Sequence, residues 1–199
     1  LIGNFDGLHI GHQKLFKIAR KYKLRKKLKL GVITFDPIPK MFFNPKFKNY
    51  RISNFNQKIE ILKSYNIDFI INKKFDKKFS KTKYTNFIKN VLYKKIKPRY
   101  IFVSDNFRFG NKREGDVSSL KQFEKVYGYK IINPSPLKKN LKIVSSTLIR
   151  KCLSEGKIKV VNKYLDRNWS IEGLVKIGRR MGRQIGFPTC NIDIGDYII

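Results

Sequence analysis

Hydrophobic positions along this chain follow two alternating periods. Short β-rich apolar runs fall at Leu30–Phe35, Ile67–Asn72, Tyr100–Val103 and Tyr129–Ile132. Between and before them, apolar residues recur with helical spacing over His12–Tyr22, Asn56–Tyr65, Tyr84–Lys95 and Ser118–Tyr127. In the first of these, Leu15, Phe16, Ile18, Ala19 and Tyr22 share one face while Lys and Arg occupy the other. Strands alternating with helices of this length predict a parallel sheet with crossover helices, and strands that are apolar throughout predict a sheet covered on both faces. Beyond Pro134-Ser135-Pro136 the spacing predicts two further helices, Ser146–Ser154 and Lys157–Leu165. From Trp169 the pattern changes to an alternating strand with glycines, Ser170 to Gly178, and then a Gly/Arg-rich turn, with no return of helical periodicity. A domain boundary is therefore expected near Asp166, dividing the chain into 1–165 and 166–199.

Composition modifies this picture in a few places. Apolar residues make up 41% of the 199, and 16 Phe with 10 Tyr suffice to fill a core. No apolar run approaches the roughly 20 residues that span a bilayer, so no membrane partner is expected. Leu1-Ile2-Gly3-Asn4-Phe5-Asp6 reads as motif sequence from the first residue, without Met or a signal peptide, and the chain is expected to be a fragment. Cys152 and Cys190 are too few for a disulfide framework, and a reduced, cytoplasmic setting is the simplest expectation. A formal net charge of +31 suits polyanions. However, Lys outnumbers Arg about threefold and is spread over every segment, which fits a solvated surface better than a dedicated nucleic-acid stripe.

Candidate chemistry gathers at strand ends. Gly3-Asn4-Phe5-Asp6-Gly7-Leu8-His9-Ile10-Gly11-His12 lies between a first strand and the first helix, where doubly wound sheets bind ligands. Its glycines allow close backbone approach to a phosphate chain, and the helix N-terminus adds free N–H groups. His9 and His12 are the only histidines, and a helical turn would put both imidazoles on one face. Val144-Ser145-Ser146-Thr147-Leu148-Ile149-Arg150 opens a later helix with hydroxyls that can cap it or hold phosphate oxygens, Arg150 reaching over from the first turn. Ser104 to Asp116 follows the strand at Tyr100 with Asn106, Phe107, Arg108 and Phe109. This loop can stack a planar ring and hydrogen-bond its edge, or tuck its aromatics into the core.

Taken in order, GNFDGLHIGHQ, ITFDPIP, SDNFRFGNKREGD and VSSTLIRKCLSEG resemble the bacterial bifunctional riboflavin kinase/FAD synthetases, and GLVKIGRRMGRQIGFPTCNID (Gly173 to Asp193) resembles the opening of that family's kinase domain. The resemblance runs essentially end to end. It implies a Rossmann-like α/β nucleotidyltransferase of the HxGH type, followed by the truncated start of a riboflavin kinase β-barrel. The implied reaction is transfer of AMP from ATP to FMN, giving FAD and pyrophosphate, with Mg²⁺. It implies that His9, His12, Asn106 and Arg150 are catalytic, that Gly3, Phe5, Asp6, Gly11, Ser146 and Thr147 bind ATP, and that Phe35, Asn106 and Phe109 meet the flavin. Thr189 and Asn191 match the PTxN motif that binds ATP with Mg²⁺ in the kinase part. ATP, FMN and riboflavin are the implied partners, with no specific nucleic acid. Ile38 stands where the family usually has His, and the kinase base lies outside the chain, so no riboflavin phosphorylation is expected from it. A related HxGH nucleotidyltransferase, such as one acting on pantetheine phosphate, shares only the first motif and the Ser/Thr–Arg helix. Class I aminoacyl-tRNA synthetases share His9-Ile10-Gly11-His12, but Lys78 to Thr82, faintly like their lysine motif, follows too closely. A basic nucleic-acid-binding module would leave the histidines without a role.

Overall fold

The computed structural model describes residues 1–139, 141–178 and 181–198; Arg179 and Arg180 of the expected Gly/Arg turn lie outside them. The chain opens with an extended segment, Leu1–Gly3, and then helix α1 (Ile10–Lys26), capped by the side chain of His9 and ended by Lys27 in the left-handed region. Strand β1 (Gly31–Asp36) follows, then α2 (Pro39–Phe43) with Pro at its first turn. Helix α3 (Phe55–Lys63) starts at a capping box in which Asn54 and Gln57 satisfy each other's backbone N–H groups. Next come β2 (Phe69–Lys74), the one-turn α4 (Lys77–Ser80) capped by Asp76, and α5 (Tyr84–Asn86), which continues as a π-helical stretch over Phe87–Ile96.

Strand β3 (Tyr100–Phe102) leads through a loop to α6 (Val117–Gln122) and α7 (Glu124–Tyr127), then β4 (Lys130–Ile132). The single helix expected over Ser118–Tyr127 is broken at Phe123, whose φ of −97° and ψ of 4° leave the helical basin. A small hairpin, β5 (Lys138–Lys139) and β6 (Lys142–Ile143), precedes α8 (Ser146–Ser154) and α9 (Ile158–Leu165). The remainder holds β7 (Val175–Lys176), a short helix α10 (Met181–Gln184) and β8 (Asn191–Ile192), with β7 and β8 antiparallel. The alternating strand expected from Ser170 to Gly178 is thus only two residues long, and a helical turn does return.

β1 pairs parallel with β2, and β3 parallel with β4. The Leu1–Gly3 segment joins the two pairs: Ile33 N–H donates to Leu1 O (2.8 Å), Gly3 N–H to Ile33 O (3.1 Å) and Ile2 N–H to Phe102 O (3.0 Å). The resulting order is β2, β1, Leu1–Gly3, β3, β4, and the direction in which the chain winds reverses at Leu1–Gly3. Side chains alternate across this sheet. Ile2, Ile33, Ile101 and Ile131 pack against the π-helical stretch and α6, whereas Leu1, Val32 and Phe102 pack with Leu15, Phe16 and Ala19 of α1 and Leu62 of α3. The period of two therefore feeds cores on opposite faces, as the apolar strands predicted. β2 is the exception: it lies at an edge and its side chains are partly or fully exposed. A third cluster joins α8, α9 and Ile52.

Candidate active site

The point where the winding reverses is where an open parallel sheet leaves a crevice beyond its strand ends. A cavity of about 680 Å³ opens there, within the range of small-molecule sites. Gly3, Phe5, Asp6, His9, Gly11, His12, Phe35, Asn106, Phe109, Ser146, Thr147 and Arg150 all line it. The stretches singled out within residues 1–150, far apart in sequence, thus converge on one cleft.

Its polar end is built on the turn into α1. Phe5 (φ 49°), Gly7 (φ 77°) and Leu8 (φ 37°) all sit at positive φ, where residues other than Gly are strained, and such strain concentrates at functional loops. Gly7 turns the chain and does not line the cavity: a Cβ there would meet Ile52 Cγ2 at 2.7 Å. Gly11 has a different task, since a Cβ on it would come within 3.0 Å of the His9 ring. His9 is the N-cap of α1, one position outside the helix, and its Nδ1 accepts from His12 N–H at 3.3 Å. The imidazoles stack, with centroids 3.8 Å apart and planes 20° from parallel.

Burial pushes the His9 imidazole down to about 4, helped by the nearby guanidinium charges of Arg150 and Arg167. Burial, then the neighbouring His9, holds His12 well below the usual histidine range. Both rings are therefore neutral at pH 7, and His12 Nδ1 is buried without a hydrogen-bond partner. A proton that the unfolded chain binds near 6.5 is refused by folded His9 until about 4, so the unfolded state carries more protons in that window. Stability rises with pH between those values and is lost as pH falls through them. At pH 5 His9 alone is expected to cost about 2 kcal/mol relative to pH 7, and denaturant titrations at the two pH values check this.

The opposite wall is the start of α8. Ser145 caps the helix by accepting from Leu148 N–H (3.2 Å), which leaves Ser146 and Thr147 in its first turn at the cleft. Ser146 Oγ donates to Asp6 O (3.0 Å), tying the two walls together. Arg150 lines the cavity but is already engaged: its Nη2 lies 2.5 Å from Asp6 Oδ2, its Nε donates to Tyr50 O (2.8 Å), and its guanidinium lies over the Tyr50 ring, 3.8 Å from the centroid. Asp6 also accepts from the N–H groups of Ile52 and Ser53. The pair is buried, and it braces the walls of the cleft.

The apolar end is aromatic. Phe35 stacks on Phe79 (5.9 Å) and meets Phe75 edge-on (6.4 Å). Phe107 and Phe109 stack at 5.4 Å, each with one side on the core and one on the cavity. The loop is pinned by reciprocal backbone bonds between Phe109 and Gly115 (both 2.9 Å), while Asn106, in the turn that follows β3, stays exposed. Ile38, at 4% exposure, adds an apolar patch to this wall. Lys14, Lys40, Arg108, Lys112 and Arg113 supply positive charge around the lining.

The sequence reading missed Phe75, Phe79, Tyr50, Arg51 and Arg167. The aromatics lie in segments with no motif, and the arginines act on backbone and carboxylate groups far away in sequence, Arg167 Nη2 donating to Gly7 O at 2.7 Å. Thr189 and Asn191 do not line this cavity; both are exposed, Asn191 in β8 and Thr189 just before it. Among the described residues no group of three or more His, Cys, Asp or Glu side chains is arranged to hold a metal. Asp6 is spent on Arg150 and on N–H groups, which leaves Asp105 as the other carboxylate in the lining.

The sequence model of the FAD synthetase family matches residues 1–148, and that of riboflavin kinase matches residues 165–199. The chain belongs to the FAD synthetase family. The bifunctional riboflavin kinase/FMN adenylyltransferase of Buchnera aphidicola subsp. Schizaphis graminum is 43% identical over 196 residues, covering 97% of this chain and 62% of that protein. The protein of the same name from Escherichia coli K12 is 31% identical over 193 residues, with 97% and 62% covered. The chain thus spans 62% of the length of these curated relatives. A crystal structure of a Streptococcus pneumoniae protein named as a macrolide-efflux protein superposes with a TM-score of 0.83 at 27% identity, covering 97% of this chain and 63% of that one. The two share a fold across nearly the whole of this chain. Among the described residues no helix is long and apolar enough to cross a membrane.

Proposed function

We propose that this cleft transfers the adenylyl group of ATP to the phosphate of FMN, forming FAD and releasing pyrophosphate. The observation that carries the reading is the stacked His9–His12 pair at the N-terminus of α1, facing the first turn of α8 across a cavity whose other end is aromatic. In this reading the triphosphate lies between the helix N-termini, held by backbone N–H groups, Ser146 and Thr147, with Gly3, Phe5 and Gly11 letting it approach closely. The isoalloxazine ring lies among Phe35, Phe79, Phe107 and Phe109, with Asn106 at its edge.

An FMN phosphate oxygen attacks the α-phosphorus in line, one P–O bond forms as the bond to pyrophosphate breaks, and no protein nucleophile takes part. Catalysis then rests on positioning and on charge stabilisation. The imidazoles donate N–H bonds to the α-phosphoryl oxygens, and a proton taken up as the phosphates arrive would strengthen them. Arg150 acts from behind, through Asp6. Mg²⁺ arriving with ATP would offset the charge of the phosphates that Ser146 and Thr147 hold.

The division of labour we propose follows a boundary near Asp166, the left-handed C-cap of α9. Residues 166–199 then correspond to the start of a riboflavin kinase barrel, in which Thr189 and Asn191 serve ATP and Mg²⁺ of a second reaction. The deciding experiment incubates the purified chain with FMN and Mg·ATP. Equimolar FAD and pyrophosphate are expected. FMN left intact while ATP binds would refute the adenylyltransferase reading for this chain.

A further inference from the structure

The strip Tyr50–Ser53 carries no motif, yet its backbone is divided between the two ends of the chain. Toward the cleft, Ile52 and Ser53 N–H groups donate to the Asp6 carboxylate, and Tyr50 O accepts from Arg150. Toward the C-terminal segment, Tyr50 and Arg51 N–H groups both donate to Asp196 O (2.8 and 2.9 Å), Arg51 O accepts from Ile198 N–H (2.9 Å), and Ile52 O accepts from Trp169 Nε1 (2.8 Å). Side chains repeat the pattern: Arg51 reaches Asp36, at the end of β1 beside Phe35, with one arm (2.8 Å) and Asp196 with the other. Tyr197 is 1% exposed and donates its hydroxyl to Gln57 in the first turn of α3.

We infer that residues 166–198 position the nucleotide site, with Trp169 and Asp196 acting through the Tyr50–Ser53 strip on Asp6 and Arg150. This rests on the adenylyltransferase reading of the cleft. The groups that brace its polar wall share one short run of backbone with the groups that hold the C-terminal segment. A shift of the strip therefore moves Asp6 and Arg150 together, and nucleotide in the cleft is felt at Trp169. The strip also forms a physical link through which an event in one half of the chain can alter affinity in the other.

Trp169 is the only tryptophan in the chain and reports on the link without mutation. Mg·ATP alone, with no flavin to absorb the light, is titrated into the protein while Trp169 emission is recorded and binding is followed in parallel by calorimetry. Emission is expected to change with the calorimetric midpoint. Asp196→Ala removes the Arg51–Asp196 ion pair and keeps the backbone bonds to Asp196 O; it is expected to raise the KM for ATP by about three- to tenfold, with kcat little changed and partial rescue by Asp196→Asn. A purely structural role would lower the melting temperature and leave KM alone. ATP binding with unmoved emission, or a wild-type KM in folded Asp196→Ala, overturns the inference and leaves the adenylyltransferase reading standing. Absence of ATP binding by calorimetry overturns both.

Discussion

Replacing both His9 and His12 with Ala is expected to lower the rate of FAD formation by at least about a thousandfold while the chain remains folded. Both rings line the cleft, in the proposed reading each gives a donor to the α-phosphoryl group, and removing one such donor typically costs about two to three orders of magnitude. His9 has a second duty that has to be separated from the first, because its Nδ1 caps α1. Loss of a cap costs about 1 kcal/mol, too little to explain such a rate loss. His9→Asn makes the separation clean. Asn is a good cap and restores helix stability, but it leaves the donor at a different reach and is expected to remain deeply impaired. The Ala pair should also flatten the stability profile between pH 4 and 6.5, since the buried rings that refuse protons are gone. Wild-type turnover in the Ala pair would remove these residues from the mechanism.

Asp6→Ala is expected to be the most destabilising substitution in the cleft. It strands the Arg150 guanidinium and the N–H groups of Ile52 and Ser53, all inside the protein. Removing one partner of a buried ion pair costs about 3–5 kcal/mol, which for a chain of this size corresponds to about 10 °C or more in melting temperature. Activity should fall as well, because the walls carrying His9 and Ser146 lose their brace. Adding Arg150→Met to Asp6→Ala removes the stranded charge, and the double variant is expected to recover part of the stability and none of the activity. A cycle in which the two losses simply add would show that the pair is not coupled.

Much of this was legible in the sequence because local rules and tertiary demands agree there. The helix expected over Ser146–Ser154 is found with those bounds, since Ser145 supplies the cap and Ile149, Cys152 and Leu153 the buried face. The apolar runs are found as strands that feed cores on both faces of the sheet, except β2, which lies exposed at an edge. Legibility failed where structure depends on distant partners. Nothing local breaks the run Ser118–Tyr127 at Phe123. The alternation after Ser170 reads as a longer strand, but among the described residues only Val175–Lys176 pair as one, with β8. In the site, the histidines and hydroxyls stand out by type and spacing, whereas the Arg150 bonds to Asp6 and Tyr50 rest on partners distant in sequence. One signal was available and unused. In a chain this rich in Lys, Arg is scarce, and the buried cases, Arg51 and Arg150, both make the forked contacts that Lys cannot.

The C-terminal segment grips the same strip at both of its ends, Trp169 on Ile52 and Ile198 on Arg51. Between these grips most large apolar side chains face outward, among them Leu174, Ile177, Ile185 and Phe187. In polymer terms the intervening stretch is a loop whose closure has already been secured, and doubling its length would cost only about 0.6 kcal/mol. Away from Thr189, Asn191 and Asp196, the part of the chain between the clasps is therefore expected to tolerate insertions with little change in the grip on the nucleotide cleft.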